Sequence, residues 1–203
     1  MKRFRQRTAA FTLVEMLIVI VLVGIIAGAV VPDANPSISS QLENAARTLA
    51  ADIDYCRSLA VANNSNYRLR FEINNNRYIL EHSGPNAALD VLPPSPFFSP
   101  GSSPAQQILD FDEQPVLATG VDLWGVHAQA AVPEIVDDLE FGPLGETTRP
   151  EATTIYLAAG SGANRLYLPV RVNPVTGLTW VDDLSALPPP SAVTQSEAVS
   201  IGP

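Results

Sequence analysis

Phe11-Thr12-Leu13-Val14-Glu15-Met16-Leu17-Ile18-Val19-Ile20 opens a run that continues to Val31, apolar at every position except Thr12 and Glu15. As a helix, about 21 residues rise roughly 30 Å, the thickness of a bilayer's hydrocarbon core. Four of the chain's twelve cations, Lys2, Arg3, Arg5 and Arg7, lie just before it, and no acid precedes Glu15. A basic flank holds its end of an apolar helix in the cytoplasm, so the expectation is a single-pass chain with the remainder outside.

Three readings fit such a segment. A secretory signal also joins a basic start to an apolar centre, and Ala27-Gly28-Ala29 could serve as its small-residue cleavage site. A plain signal anchor fits the length but leaves Glu15 without a reason. A carboxylate within an apolar span costs about 2.5–3.5 kcal/mol on insertion scales, which points to a functional acid with a cationic partner. The bland alternative is an acid snorkelling toward the membrane edge.

The residues before Glu15 suggest the partner. Ala10-Phe11-Thr12-Leu13-Val14-Glu15, behind a short basic leader, resembles the processing site of type IV prepilins and type II secretion pseudopilins. The resemblance implies cleavage by a prepilin peptidase between Ala10 and Phe11, where the family's usual residue before the cut is glycine. It further implies N-methylation of Phe11, and a Glu15 that shares charge with the new amine and sets axial register during filament assembly. Pro32 stands where these families commonly bend the helix. The expected boundaries are a leader over 1–10, a transmembrane assembly helix over 11–31, an amphipathic continuation over 32–64, a periplasmic β-rich domain over 65–184 and a disordered tail over 185–203. The implied location is the bacterial inner membrane, N-terminus cytoplasmic and globular domain periplasmic.

Beyond Pro36, Leu42, Ala46, Leu49, Ile53, Cys56 and Ala60 step by four and three, the stripe of an amphipathic helix ending at Asn63-Asn64. Ser40 with Glu43 three residues on has the pattern of a capping box. Cys56 lies on the stripe as a small core residue, the alternatives being a reactive thiol or an intermolecular disulfide. From Tyr67 the period becomes two: Tyr67, Leu69, Phe71 and Ile73 share one face, while Arg68, Arg70 and Glu72 share the other. Asn74-Asn75-Asn76 turns the chain into a hairpin partner over 77–82. Residues 83–115, rich in Pro, Ser and Gly, are expected as a long loop, a functional excursion or a mobile insertion, with Phe97 and Phe98 packed on the domain or docked on a partner. Strands are expected at 116–119, 121–126, 135–141, 153–158, 165–172 and 178–181. One long helix followed by a β-rich domain is an α+β fold, with the helix packed on an antiparallel, pilin-like domain.

Ala46-Arg47, Ala51-Asp52-Ile53 and Arg57-Ser58-Leu59-Ala60, followed by a hairpin and by Phe141-Gly142-Pro143-Leu144-Gly145, are most similar to the H-type minor pseudopilin and the FimT minor pilin. That similarity implies a structural subunit of the type II secretion pseudopilus, whose partners are major and minor pseudopilins. The alternative is a minor type IV pilin of a pilus or DNA-uptake system.

Composition bears on this choice. The chain of 203 residues has 46% hydrophobic residues and a formal charge of −9. Without the leader, eight cations face 21 acids, giving −13, and no cation follows Arg171. A nucleic-acid partner is therefore not expected, because polyanion binding needs cations to displace counterions. One cysteine excludes an internal disulfide framework. Asp110/Asp112/Glu113, Asp137-Asp138 and Asp182-Asp183 lack calcium-loop spacing and are expected to be solvated charge, with Asp137-Asp138 pointing to both faces of a strand. His82 and His127 have no acid or nucleophile at a diagnostic spacing. No catalytic, cofactor-binding or metal-ligating residue is expected, and no enzyme.

Overall fold

The computed structural model describes residues 12–30, 37–94, 101–113 and 120–189. The chain divides into two compact units, 1–36 and 37–203. In the first, helix α1 spans Leu13–Val30. Within the described residues no helix is long and apolar enough to cross a membrane. α1's 18 residues rise about 27 Å against about 30 Å of hydrocarbon, and residues 11 and 31 of the expected segment lie outside the described range.

The second unit is α+β, with helix α2 (Ile38–Asn63) packed on two antiparallel sheets. α2 starts at Ser37, whose side chain accepts the Ser40 N–H at 3.3 Å. The expected cap at Ser40 is thus corrected: Ser40 already lies within the first turn, and its hydroxyl turns back onto Ser37 O at 2.9 Å. α2 ends where Asn64 takes a left-handed conformation at φ +48°, a role asparagine tolerates. The predicted stripe from Leu42 to Ala60 is buried throughout, joined by Ala45 and Leu59. Each fully buried Leu or Ile contributes about 2 kcal/mol. Cys56 is part of that core, and burial pushes its thiol pKa well up, which keeps the sulfur protonated and inert.

The first sheet has the order β3 (Gln106–Asp110), β2 (Arg77–His82), β1 (Tyr67–Glu72), β6 (Asp138–Phe141). The second runs β5 (Glu134–Ile135), β4 (Val121–Ala128), β7 (Thr153–Ala159), β8 (Leu166–Val172), β9 (Thr179–Val181). The alternation of β1 holds, with Tyr67, Leu69 and Phe71 buried. One core cluster joins the inner faces of both sheets to the stripe of α2.

Two expectations are overturned here. The expected strand over 135–141 is two strands in different sheets. Ile135 pairs with His127, Asp138 pairs with Arg70, and the chain crosses between them, where Val136 N–H bonds Val126 O and Asp137 O accepts Phe71 N–H. The stretch 83–115 is not loop throughout, since Gln106–Asp110 forms an edge strand against β2. Its inward residues are Gln107 and Leu109, and a buried glutamine breaks the apolar alternation that marks a strand. The expected strand at 116–119 and the positions of Phe97 and Phe98 lie outside the described residues. So do Pro32 and most of the tail.

Both edges of the first sheet are covered. Ser102 Oγ accepts Ile108 N–H at 2.9 Å along β3, while Thr148 N–H reaches Glu140 O and Arg149 reaches Asp138 O along β6. Two turns meet the far end of α2. Arg57 Nε donates to Gly145 O at 3.2 Å, and Gly177, at φ +62°, lies so close to Gly145 O that no Cβ fits between them.

Candidate functional site

Of the residues singled out from sequence, Ala10 and Phe11 lie outside the described range. Glu15 stands in the first turn of α1. Its N–H donates to Thr12 O at 3.1 Å and approaches Thr12 Oγ1 at 3.3 Å. Thr12 therefore caps the helix, and Thr-Leu-Val-Glu has the spacing of a capping box, a local role the sequence reading missed. A carboxylate in the first turn also complements the positive end of the helix dipole.

Around and beyond Glu15 the apolar side chains of α1 are exposed on every side, from Leu13 at 86% to Ile25 at 63%. Amphipathic helices of soluble domains present one apolar stripe, and α2 does so. A helix apolar all round requires surroundings that are apolar all round, either lipid or other helices.

The hairpin face, where a nucleic acid would need free cations, carries paired charge instead. Arg68 bonds Glu81 at 2.6 Å, Arg70 and Arg77 each bond Glu72 at 2.6 Å, and Arg149 pairs with Asp138. The Asn75 amide, joined by Arg77 and Arg70, holds the Glu72 carboxyl below its ordinary pKa. On the second sheet Arg171 pairs with Asp182 at 2.7 Å. Asp138 and Asp182 are thus ion-paired, which corrects the expectation that their clusters are merely solvated. Asp137 is exposed between the two strands and Asp138, the first residue of β6, faces Arg149, so the pair does not span the two faces of one strand as expected.

His82 is the larger surprise. Ser65 Oγ lies 2.8 Å from its Nε2, and Asp90 Oδ1 lies 2.7 Å from its Nδ1. This is the order of a nucleophile, base and orienting acid. The β1–β2 register creates it, because Tyr67 pairs with His82 and carries Ser65 to the imidazole. Access for chemistry is lacking, however. Ser65 is buried and Gly84 covers it, so closely that a Cβ on Gly84 would overlap Ser65 Oγ and lie 2.8 Å from His82 Nε2. A nucleophile needs a reacting carbon about 3 Å from its oxygen, and that space holds backbone. The trio is a hydrogen-bond relay that fastens the segment after β2 to the end of α2. His127 is buried on β4, and burial lowers its pKa. No cluster of potential metal ligands occurs among the described residues.

Comparison with known proteins gives one sequence match, to the prokaryotic N-terminal methylation motif over residues 5–31. No curated protein sequence matches the chain. Solved structures with similar coordinates include the type IV minor pilin FimU of Pseudomonas aeruginosa, at 15% identity and TM-score 0.44, covering 74% of this chain and 92% of that one. The minor pseudopilin EpsH from the Type 2 Secretion System of Vibrio cholerae is also similar, at 11% identity and TM-score 0.46, covering 70% of this chain and 96% of that one. The stretch matched by the methylation motif, residues 5–31, contains the run from Phe11 to Glu15.

Proposed function

We propose that the chain is a minor pseudopilin, a structural subunit of a type II secretion pseudopilus. A prepilin peptidase cuts between Ala10 and Phe11, Phe11 is N-methylated, and the mature chain is anchored in the inner membrane with its α+β domain in the periplasm. The observation that carries this reading is the Phe11–Glu15 sequence motif together with a helix α1 whose apolar side chains from Leu13 to Ile25 are exposed. In a low-dielectric bundle an unpaired carboxylate is costly, so Glu15 favours the axial position that brings it beside a free α-amine. The domain's contribution is a rigid, charge-paired surface; the chain makes and breaks no bond itself. A DNA-uptake role finds little support, since the arginines of the hairpin face are paired and no cation follows Arg171.

Mass spectrometry of the chain from its native host tests the processing step: N-methyl-phenylalanine at Phe11 is expected, and an intact Met1 overturns it. The Glu15→Leu variant tests the register role. It should still be cleaved and should fall at least about tenfold in filament incorporation; unchanged incorporation removes Glu15 from the mechanism.

A further inference from the structure

Among the described residues, the second sheet, unlike the first, has an uncovered edge at β9. In the β8–β9 ladder Asn173 N–H bonds Leu178 O and Asp182 N–H bonds Pro169 O, so by antiparallel alternation Thr179 and Val181 occupy the non-bonded pairs. Their N–H and C=O groups point away from β8, and no partner for them exists among the described residues. A groove of 610 Å³ runs beside this edge, between the continuation of β9 and the opening turns of α2. Leu168, Val181 and Leu184 give it an apolar floor, and Glu43, Arg47 and Asp183 stand on its rim.

The rim's charge narrows the choice of occupant. Asp182 is committed to Arg171 and to the Trp180 indole N–H, and Arg47 touches Glu43 only at 4.0 Å. Asp183 is exposed and pairs with no cation among the described residues. A second copy of this chain brings −13 after leader removal, and most of its domain arginines are already paired. Its own residues beyond Pro189 carry one charge, Glu197, of the wrong sign. We infer that the open edge of β9 receives an extended segment of a different chain by β-strand addition, with an apolar residue on the Leu168–Val181–Leu184 floor and a Lys or Arg beside Glu43 and Asp183. This rests on the reading of the chain as an assembly subunit, but its test does not touch the N-terminal motif.

Hydrogen exchange at the Thr179 and Val181 amides tests it, on the full chain in detergent micelles. The probes are a short alternating Lys-Val-Thr-Val-Lys peptide and its counterpart with glutamate in place of lysine. The lysine peptide should slow both amides about tenfold or more, and the glutamate peptide should not. Val181→Pro removes an outward N–H that β8 does not use, so the peptide's protection of Thr179 should vanish while the Trp180 and Asp182 amides stay protected. Combined Glu43→Lys and Asp183→Lys, both away from the core, should reverse the peptide preference by about tenfold. That reversal decides the matter if Val181→Pro loses its β8 pairing. Equal protection by both peptides, or none by either, overturns the inference. So does protection in the free chain that is lost on truncation after Pro189, which would assign the edge to the chain's own tail. Protection that rises with protein concentration without peptide would assign it to a second copy, and overturns it as well.

Discussion

Asp52 is the residue whose environment the sequence concealed most. It lies in α2 one position before the buried Ile53, and the Tyr78 hydroxyl donates to its Oδ2 at 2.5 Å. Burial raises the Asp52 pKa from 3.8 to about 6, and the Tyr78 hydrogen bond only partly opposes this. An acid whose folded pKa exceeds its unfolded one binds protons more tightly when folded. Its contribution is therefore complete below about pH 4 and is lost as pH rises through about 6. A shift of this size corresponds to about 3 kcal/mol. Asp52→Asn keeps an acceptor for Tyr78 without the charge. Urea unfolding should show the wild type losing up to about 3 kcal/mol between pH 4 and pH 7.5, and the variant losing much less at this site. A pH dependence identical in the two proteins would show that Asp52 is ionised without penalty. The Ser65–His82–Asp90 relay was hidden for a related reason: residues 17 and 8 positions from the histidine meet it only through strand pairing and a turn.

For α2, periodicity foretold the buried face, because a 3.6-residue repeat follows from backbone geometry alone. The choice of cap was less legible. Ser37, Ser39 and Ser40 are all good cap residues, and the sequence pattern favoured Ser40 because Glu43 follows it. Ser37 Oγ in fact accepts the N–H three residues on and also meets Ser40 Oγ at 2.9 Å. Ser37→Ala should destabilise the domain by about 1 kcal/mol in chemical denaturation, and Ser40→Ala by appreciably less. Equal losses would mean that the two hydroxyls act as one unit. Among the strands, β1 and β2 were legible because they alternate cleanly around a turn. β3 was not, since Gln107 occupies an inward position and donates to Pro93 O, a contact available only once the segment 92–94 lies alongside. The β5–β6 switch was equally silent, because a strand that changes sheets keeps its local preference and changes only its partner.

At the scale of the whole molecule, charge divides by location. The leader holds four cations and no acid, and the rest of the chain is left at −13. Processing therefore predicts more than a mass loss: mature protein should focus below the full chain's isoelectric point of about 4.6, since N-methylation keeps the terminal amine cationic. A processed form focusing at or above that value would contradict the assigned cut. Such acidity also separates copies of this chain from one another and favours partners of opposite charge. The sequence by itself determined the N-terminal motif, the apolar run of α1 around its single acid Glu15, the buried stripe of α2 and the α+β order. These depend on local spacing, on hydrophobicity and on where cations stand along the chain, all of which are written in one dimension. Only the tertiary structure decided that the hairpin arginines are neutralised, that a Ser-His-Asp alignment is sealed by Gly84, and that among the described residues the first sheet has covered edges while the outer edge of β9 is uncovered. Those properties depend on which strand lies beside which, and pairing between residues far apart in the chain leaves no periodic trace in the sequence.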